Sequence, residues 1–136
     1  MISKIDHLGI AVPNLEEGIE IYKSMGFEYC GREVVEEQNV ETAFFKIGES
    51  MIELLAPTDP SSPIARFIQK NGGKGGIAHI AVNVPDLKSK LESLKKAGLQ
   101  LIDETPKTGA HGASIAFVHP KSTGGVLFEF CQKKDQ

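Results

Sequence analysis

Residues 5–15 read Ile-Asp-His-Leu-Gly-Ile-Ala-Val-Pro-Asn-Leu, and residues 77–87 read Ile-Ala-His-Ile-Ala-Val-Asn-Val-Pro-Asp-Leu. At an offset of 72, five of these eleven positions are identical and His7 falls on His79. The correspondence continues downstream, where Ile19, Glu20, Lys23, Gly26 and Phe27 match Leu91, Glu92, Lys95, Gly98 and Leu99. Agreement kept in order over so long a stretch marks an internal duplication. A chain of 136 residues can enclose one sizeable core and is short for two conventional domains, so the two repeats must share it. We expect a single domain over 1–136, with the first repeat at about 3–57, a linker and short helix over 58–75, and the second repeat at about 76–132.

Each repeat opens as a strand followed by a helix. Over residues 5–12, Leu8, Ile10 and Val12 fall on one face, and Ile5, His7, Gly9 and Ala11 on the other. Pro13 ends the strand, Asn14 can cap a helix carrying Leu15, Ile19, Tyr22 and Met25 at helical spacing, and Gly26 stops it. β-prone runs follow at 27–35, 40–47 and 51–56, separated by turn-forming residues, so the first repeat reads βαβββ with antiparallel hairpins. A short helix is expected over 64–71, and Gly72-Gly73-Lys74-Gly75-Gly76 reads as a hinge. The second repeat predicts a strand over 77–84, a helix over 86–97 and strands near 99–103, 114–119 and 125–131, with a long loop over 104–113. The fold class is α+β, two tandem βαβββ modules forming a curled mixed sheet around a central site.

Composition narrows the function by exclusion. Hydrophobic residues at 40% and charged residues at 24%, with no run of eighteen apolar residues, describe an ordinary globular chain with no membrane partner. A formal charge of -3 argues against nucleic acid, which requires a broad basic face. The first strand begins almost at once, so no signal or transit peptide is expected and the cytoplasm is favoured. Cys30 and Cys131 stand far apart, without a C-x-x-C spacing, and are read as reduced, packed thiols without a function.

The last strand of each repeat carries one acid among apolar neighbours: Glu53 in Met-Ile-Glu-Leu-Leu and Glu129 in Val-Leu-Phe-Glu-Phe. A lone strand histidine is usually a core or surface residue, and a lone strand glutamate is usually exposed or paired. Their duplication changes that balance, because a buried carboxylate is costly unless it meets a cation. If the first strand of each repeat offers a histidine and the last a glutamate to one point, the set is His7, Glu53, His79 and Glu129. Two imidazoles and two carboxylates suit one divalent ion of intermediate hardness per chain, Co, Ni, Mn, Fe or Zn, with positions open to substrate. His111 and His119 have no counterpart in the other repeat; the first reads as a loop residue in reach of substrate, the second as a strand-end residue.

These residues resemble the vicinal oxygen chelate superfamily (glyoxalase/bleomycin resistance/dioxygenase). Within it, the second repeat is similar to the methylmalonyl-CoA epimerases, through Pro106-Lys107-Thr108-Gly109-Ala110-His111-Gly112, through Ile115-Ala116-Phe117-Val118-His119-Pro120-Lys121 and through Gly125-Val126-Leu127-Phe128-Glu129-Phe130. The resemblance covers essentially the whole chain. It implies an isomerase that interconverts the two C2 epimers of methylmalonyl-CoA, a homodimer, and cobalt as the favoured metal. Proton removal beside the thioester would develop charge on the thioester oxygen, which a Lewis-acidic ion stabilises.

The same resemblance implies roles residue by residue. Many family members carry Gln where Glu53 stands, and some carry Glu where Thr42 stands, so the set here is closer to that of bacterial glyoxalase I. Glu129 and Glu53 are the expected proton-transfer pair, with Glu37 of the Glu-Gln-x-Val run as a further candidate. Lys107, Lys121 and the backbone N–H groups around Gly109, His111 and Gly112 are candidate contacts for the CoA moiety. A glyoxalase I type lyase acting on a glutathione hemithioacetal, and a metal-free binding protein of the same fold, are the alternatives.

Overall fold

Apolar residues two apart build the first strand, and apolar residues three or four apart build the helix that packs on it. In the computed structural model, which describes residues 1–134, β1 spans Lys4–Ala11 and α1 spans Leu15–Ser24. The Asn14 side chain accepts from the Glu17 N–H at 3.0 Å and caps the helix. Gly26 ends it in the left-handed region, at φ 99°. Leu15 and Ile19 pack against Phe45, Ile52 and Leu54, with Ile10 and Val12 at the margin. Burying side chains of that size contributes about 1.5–3 kcal/mol each and holds the helix on the sheet.

The remaining strands of the first repeat are β2 (Glu28–Val35), β3 (Val40–Ile47) and β4 (Ser50–Pro57). β2 and β3 are antiparallel, as are β3 and β4, whereas β4 runs parallel to β1. α2 (Pro63–Lys70) follows, with Ser62 as its cap and Pro63 in its first turn. Residues 7–78 form one compact unit.

The other unit comprises residues 1–6 and the chain from residue 79 onward. Its elements are β5 (Gly76–Asn83) from His79 onward, α3 (Leu87–Lys96) capped by Asp86, β6 (Lys107–Thr108), β7 (Ser114–Val118) and β8 (Phe128–Gln132). β8 runs parallel to β5 and antiparallel to β7, which pairs antiparallel with β6. The order β1-β4-β3-β2 of the first repeat thus recurs as β5-β8-β7-β6. Val82, Val84, Ala116, Val118 and Phe130 face α3 through Leu87 and Leu91. Strand alternation sends His79, Phe117, Glu129 and Cys131 to the opposite face.

Two expectations are corrected. The strand predicted at 99–103 shrinks to a single bridge between Leu101 and Val118, and the pairing moves to Lys107–Thr108, inside the segment read as a loop. The cause is Asp103: its carboxylate accepts the Phe117 N–H at 2.8 Å, taking the place of a ladder carbonyl. The glycine run at 72–76 is not a loose hinge. Gly72 and Gly73 turn the chain with φ of 70° and 83°, but the Asn71 side chain donates to the carbonyls of Lys74 and Gly75 at 3.2 and 2.9 Å. A Cβ on Gly75 would stand 2.1 Å from the Ala11 carbonyl oxygen, so this glycine is a close backbone contact.

Candidate metal centre

Each unit holds one imidazole–carboxylate pair, built the same way. In the first, β1 carries His7 and β4 carries Glu53, with Glu53 opposite Gly9 in the parallel ladder. In the second, β5 carries His79 and β8 carries Glu129, with Glu129 opposite Ala81. In both, the acid lies across from the residue two places after the histidine. That residue is small, which leaves the carboxylate room beside the ring. His7 Nδ1 lies 3.2 Å from Glu53 Oε2, and His79 Nε2 lies 3.2 Å from Glu129 Oε1.

All four side chains are buried, with exposures of 4% for His7, 6% for Glu53, 6% for His79 and 4% for Glu129. Carboxylates removed from water to this degree must be paired or meet a cation. Neutral imidazole nitrogen and carboxylate oxygen together form a donor set of intermediate hardness, which fits a divalent transition ion. The chain therefore carries buried histidine and glutamate ligands able to hold a metal ion.

Around the second pair the structure adds neighbours that the sequence alone does not single out. The Phe117 ring meets the His79 ring edge-on, with centroids 5.4 Å apart and planes at 88°. Cys131 Sγ donates to Glu129 Oε2 at 2.7 Å. Asn83 is buried on the same strand as His79, and neither its Oδ1 nor its Nδ2 has a hydrogen-bond partner among the described residues. A signal for Cys131 and Asn83 was present, since they stand two and four residues from Glu129 and His79 and so share their faces. Cys30, by contrast, is exposed, which corrects the expectation that both thiols are packed.

The other candidates are placed as follows. The Lys107 ammonium stands 5.1 Å from the Phe117 ring centroid and 3.2 Å from Asp103 Oδ1, tied to the sheet face that bears His79. Lys121 is exposed, and its backbone N–H donates to His119 Nδ1 at 3.1 Å. Gly109 packs tightly, since a Cβ there would come within 2.9 Å of the Ile115 side chain. His111 is exposed and, at φ 58°, is one of two non-glycine residues in the left-handed region among the described residues, while Gly112 follows at φ 72°. Glu37 lies on the exposed turn between β2 and β3. That end of the sheet, where Val40 pairs with Pro57, is four residues from Glu53, or about 13 Å along the strand. Glu37 is thus set apart from the His7–Glu53 pair.

The family model of the Glyoxalase/Bleomycin resistance protein/Dioxygenase superfamily matches residues 6–117, and the chain belongs to that superfamily. Its relatives point to one branch. It is 41% identical to the mitochondrial methylmalonyl-CoA epimerase of Dictyostelium discoideum, over 97% of this chain and 80% of that protein. It is 38% identical to the ethylmalonyl-CoA/methylmalonyl-CoA epimerase of Cereibacter sphaeroides, over 97% of this chain and 99% of that one. A solved methylmalonyl-CoA epimerase in complex with methylmalonyl-CoA and NH4+ superposes with a TM-score of 0.94 at 34% identity, covering 99% of this chain and 97% of the other. The α+β fold read from the repeat is that of these enzymes.

Proposed function

We propose that this chain is a methylmalonyl-CoA epimerase, an isomerase interconverting the C2 epimers of that thioester, with His7, Glu53, His79 and Glu129 as ligands of one divalent metal ion. The observation that carries this reading is the repeated buried His–Glu pair in a chain that matches an epimerase bound to methylmalonyl-CoA end to end. The ion, once bound, supplies Lewis-acid stabilisation of negative charge developing beside C2.

The remaining work falls to side chains. Epimerisation requires a base that takes the C2 proton and an acid that returns one to the opposite face. In one direction a carboxylate accepts the proton, the electron pair of the broken C–H bond moves into the thioester, and the second group, protonated, donates to C2 from the other side. The two exchange protonation states, and the reverse reaction restores them. Glu53 and Glu129 are assigned these roles. Their burial excludes bulk water, which would otherwise solvate the carboxylates and weaken them as bases. Glu37 remains a candidate of lower standing because its turn is exposed. Lys107, beside Phe117, and the backbone around His111 and Gly112 are assigned to the acyl-CoA, with Lys121 at the outer edge; the Gly109 N–H is withdrawn from that set because it donates to the Ala113 carbonyl at 2.9 Å. The active form is taken to be a cytoplasmic homodimer with cobalt or a neighbouring divalent ion.

The deciding experiment follows solvent deuterium into C2 of single-epimer methylmalonyl-CoA in the presence of each divalent metal. Exchange is expected with the wild type and abolished in Glu129→Gln. Absence of exchange with every metal sinks the epimerase reading. Elemental analysis of His7→Ala and His79→Ala should show reduced metal content, and unchanged content removes these histidines from the ligand set.

A further inference from the structure

The two His–Glu pairs differ in what stands behind the carboxylate. Glu129 is engaged at both oxygens: Oε1 lies 3.2 Å from His79 Nε2, and Oε2 accepts the Cys131 thiol at 2.7 Å. Cys131 is only 3% exposed. The corresponding residue two places after Glu53 is Leu55, whose side chain has no donor to offer. A thiol is therefore not a requirement of the repeat.

A second difference lies next to it. Asn83 is the ladder partner of Cys131, is 1% exposed, and keeps both amide atoms without a hydrogen-bond partner among the described residues. Its counterpart in the first repeat is Ala11. His79, Ala81 and Asn83 alternate along β5 and so share one face. The second repeat has thus replaced two apolar residues by polar ones, both on the face of the His79–Glu129 pair.

We infer that Cys131 is a positioning residue for Glu129: its S–H holds Oε2 and leaves Oε1 turned toward His79. A carboxylate tethered at one oxygen cannot swap its oxygens by rotation about the terminal bond, so it presents one defined atom to the reaction. Asn83, buried beside it, keeps the neighbouring end of the face polar. The tether itself is independent of the proposed activity, whereas its effect on turnover rests on the epimerase reading.

The test uses the full chain and the variants Cys131→Ala, which removes the donor, and Cys131→Ser, which keeps one. In C2 deuterium exchange, Cys131→Ala is expected to lower kcat about tenfold, the scale of one hydrogen bond to a charged group, with KM unchanged. Cys131→Ser is expected to recover most of that loss. Wild-type kcat in Cys131→Ala, or no recovery in Cys131→Ser, overturns the assignment. The second readout needs neither metal nor substrate. In the infrared, the S–H stretching band that disappears in Cys131→Ser should lie below the free-thiol frequency and shift upward in Glu129→Gln. A band at the free-thiol position, unmoved by Glu129→Gln, overturns the tether. If the wild type shows no exchange at all, the epimerase reading fails and the infrared result still decides the tether.

Discussion

Replacing Gly75 by alanine probes how the end of the glycine run meets β1, the strand that carries His7. The added Cβ would stand 2.1 Å from the Ala11 carbonyl oxygen, 3.1 Å from the Ala11 carbonyl carbon and 3.3 Å from Val12 Cα. All three are backbone atoms, so no side chain can turn aside. A carbon resting against a carbonyl oxygen needs about 3.3 Å, so the backbones must separate by roughly 1 Å. Overpacking of this kind costs about 1–3 kcal/mol, and the reduced freedom of the unfolded chain returns about 0.4–1 kcal/mol. The expected net destabilisation is about 1–2 kcal/mol. Gly76→Ala is the internal control: its Cβ would meet Asn71 Nδ2 at 3.6 Å and the Phe67 ring at 3.7 Å, ordinary contact distances. Urea unfolding followed by circular dichroism should separate the two variants by roughly 1 M in midpoint, given slopes of about 1–3 kcal/mol/M. Equal midpoints would show that the run is loose and would refute the close-contact reasoning.

Three further outcomes are expected. Phe45→Ala empties a fully buried position whose ring meets Tyr22 and Tyr29 at centroid distances of 5.6 and 5.5 Å; it should cost about 3–5 kcal/mol in urea unfolding, and a loss under 1 kcal/mol would contradict the packing. Saturating the metal-free protein with its ion at about a hundred times the dissociation constant should add about 2.7 kcal/mol of stability; an unfolding midpoint indifferent to metal and chelator speaks against the ligand set. The Lys95 ammonium, 2.8 Å from Glu104, holds that carboxyl below its ordinary range, first by the hydrogen bond and then by charge. With the folded value depressed, the contribution is present above the usual carboxylate range and fades as pH falls through the folded value. The stability gap between wild type and Glu104→Gln should therefore narrow on acidification, and a gap that widens instead would reverse the sign.

Much of the molecule was legible in the chain because local rules carried it. Period-2 alternation placed His7 opposite Ile10 and Val12, and Asn14 with Gly26 bounded the first helix, as Asp86 with Gly98 bounded the third. The duplication did more, since it singled out Glu53 and Glu129 among eighteen acidic residues. Strand 99–103 failed for the complementary reason. Its residues are β-prone, but the Asp103 carboxylate takes the Phe117 N–H, a competition that no local pattern reveals.

The sequence by itself determined the repeat, the element order and the four buried ligand candidates, because these follow from chain-local periodicity and self-similarity. Only the tertiary structure decided that Phe117 meets His79, that Lys107 lies over Phe117 beside Asp103, and that Cys131 holds one oxygen of Glu129. The first of these depends on strand register, which brings two rings far apart in the chain into edge-on contact, and the others depend on the rotamers their side chains adopt. A register shift of one residue would leave the sequence unaltered and turn Phe117 away from His79.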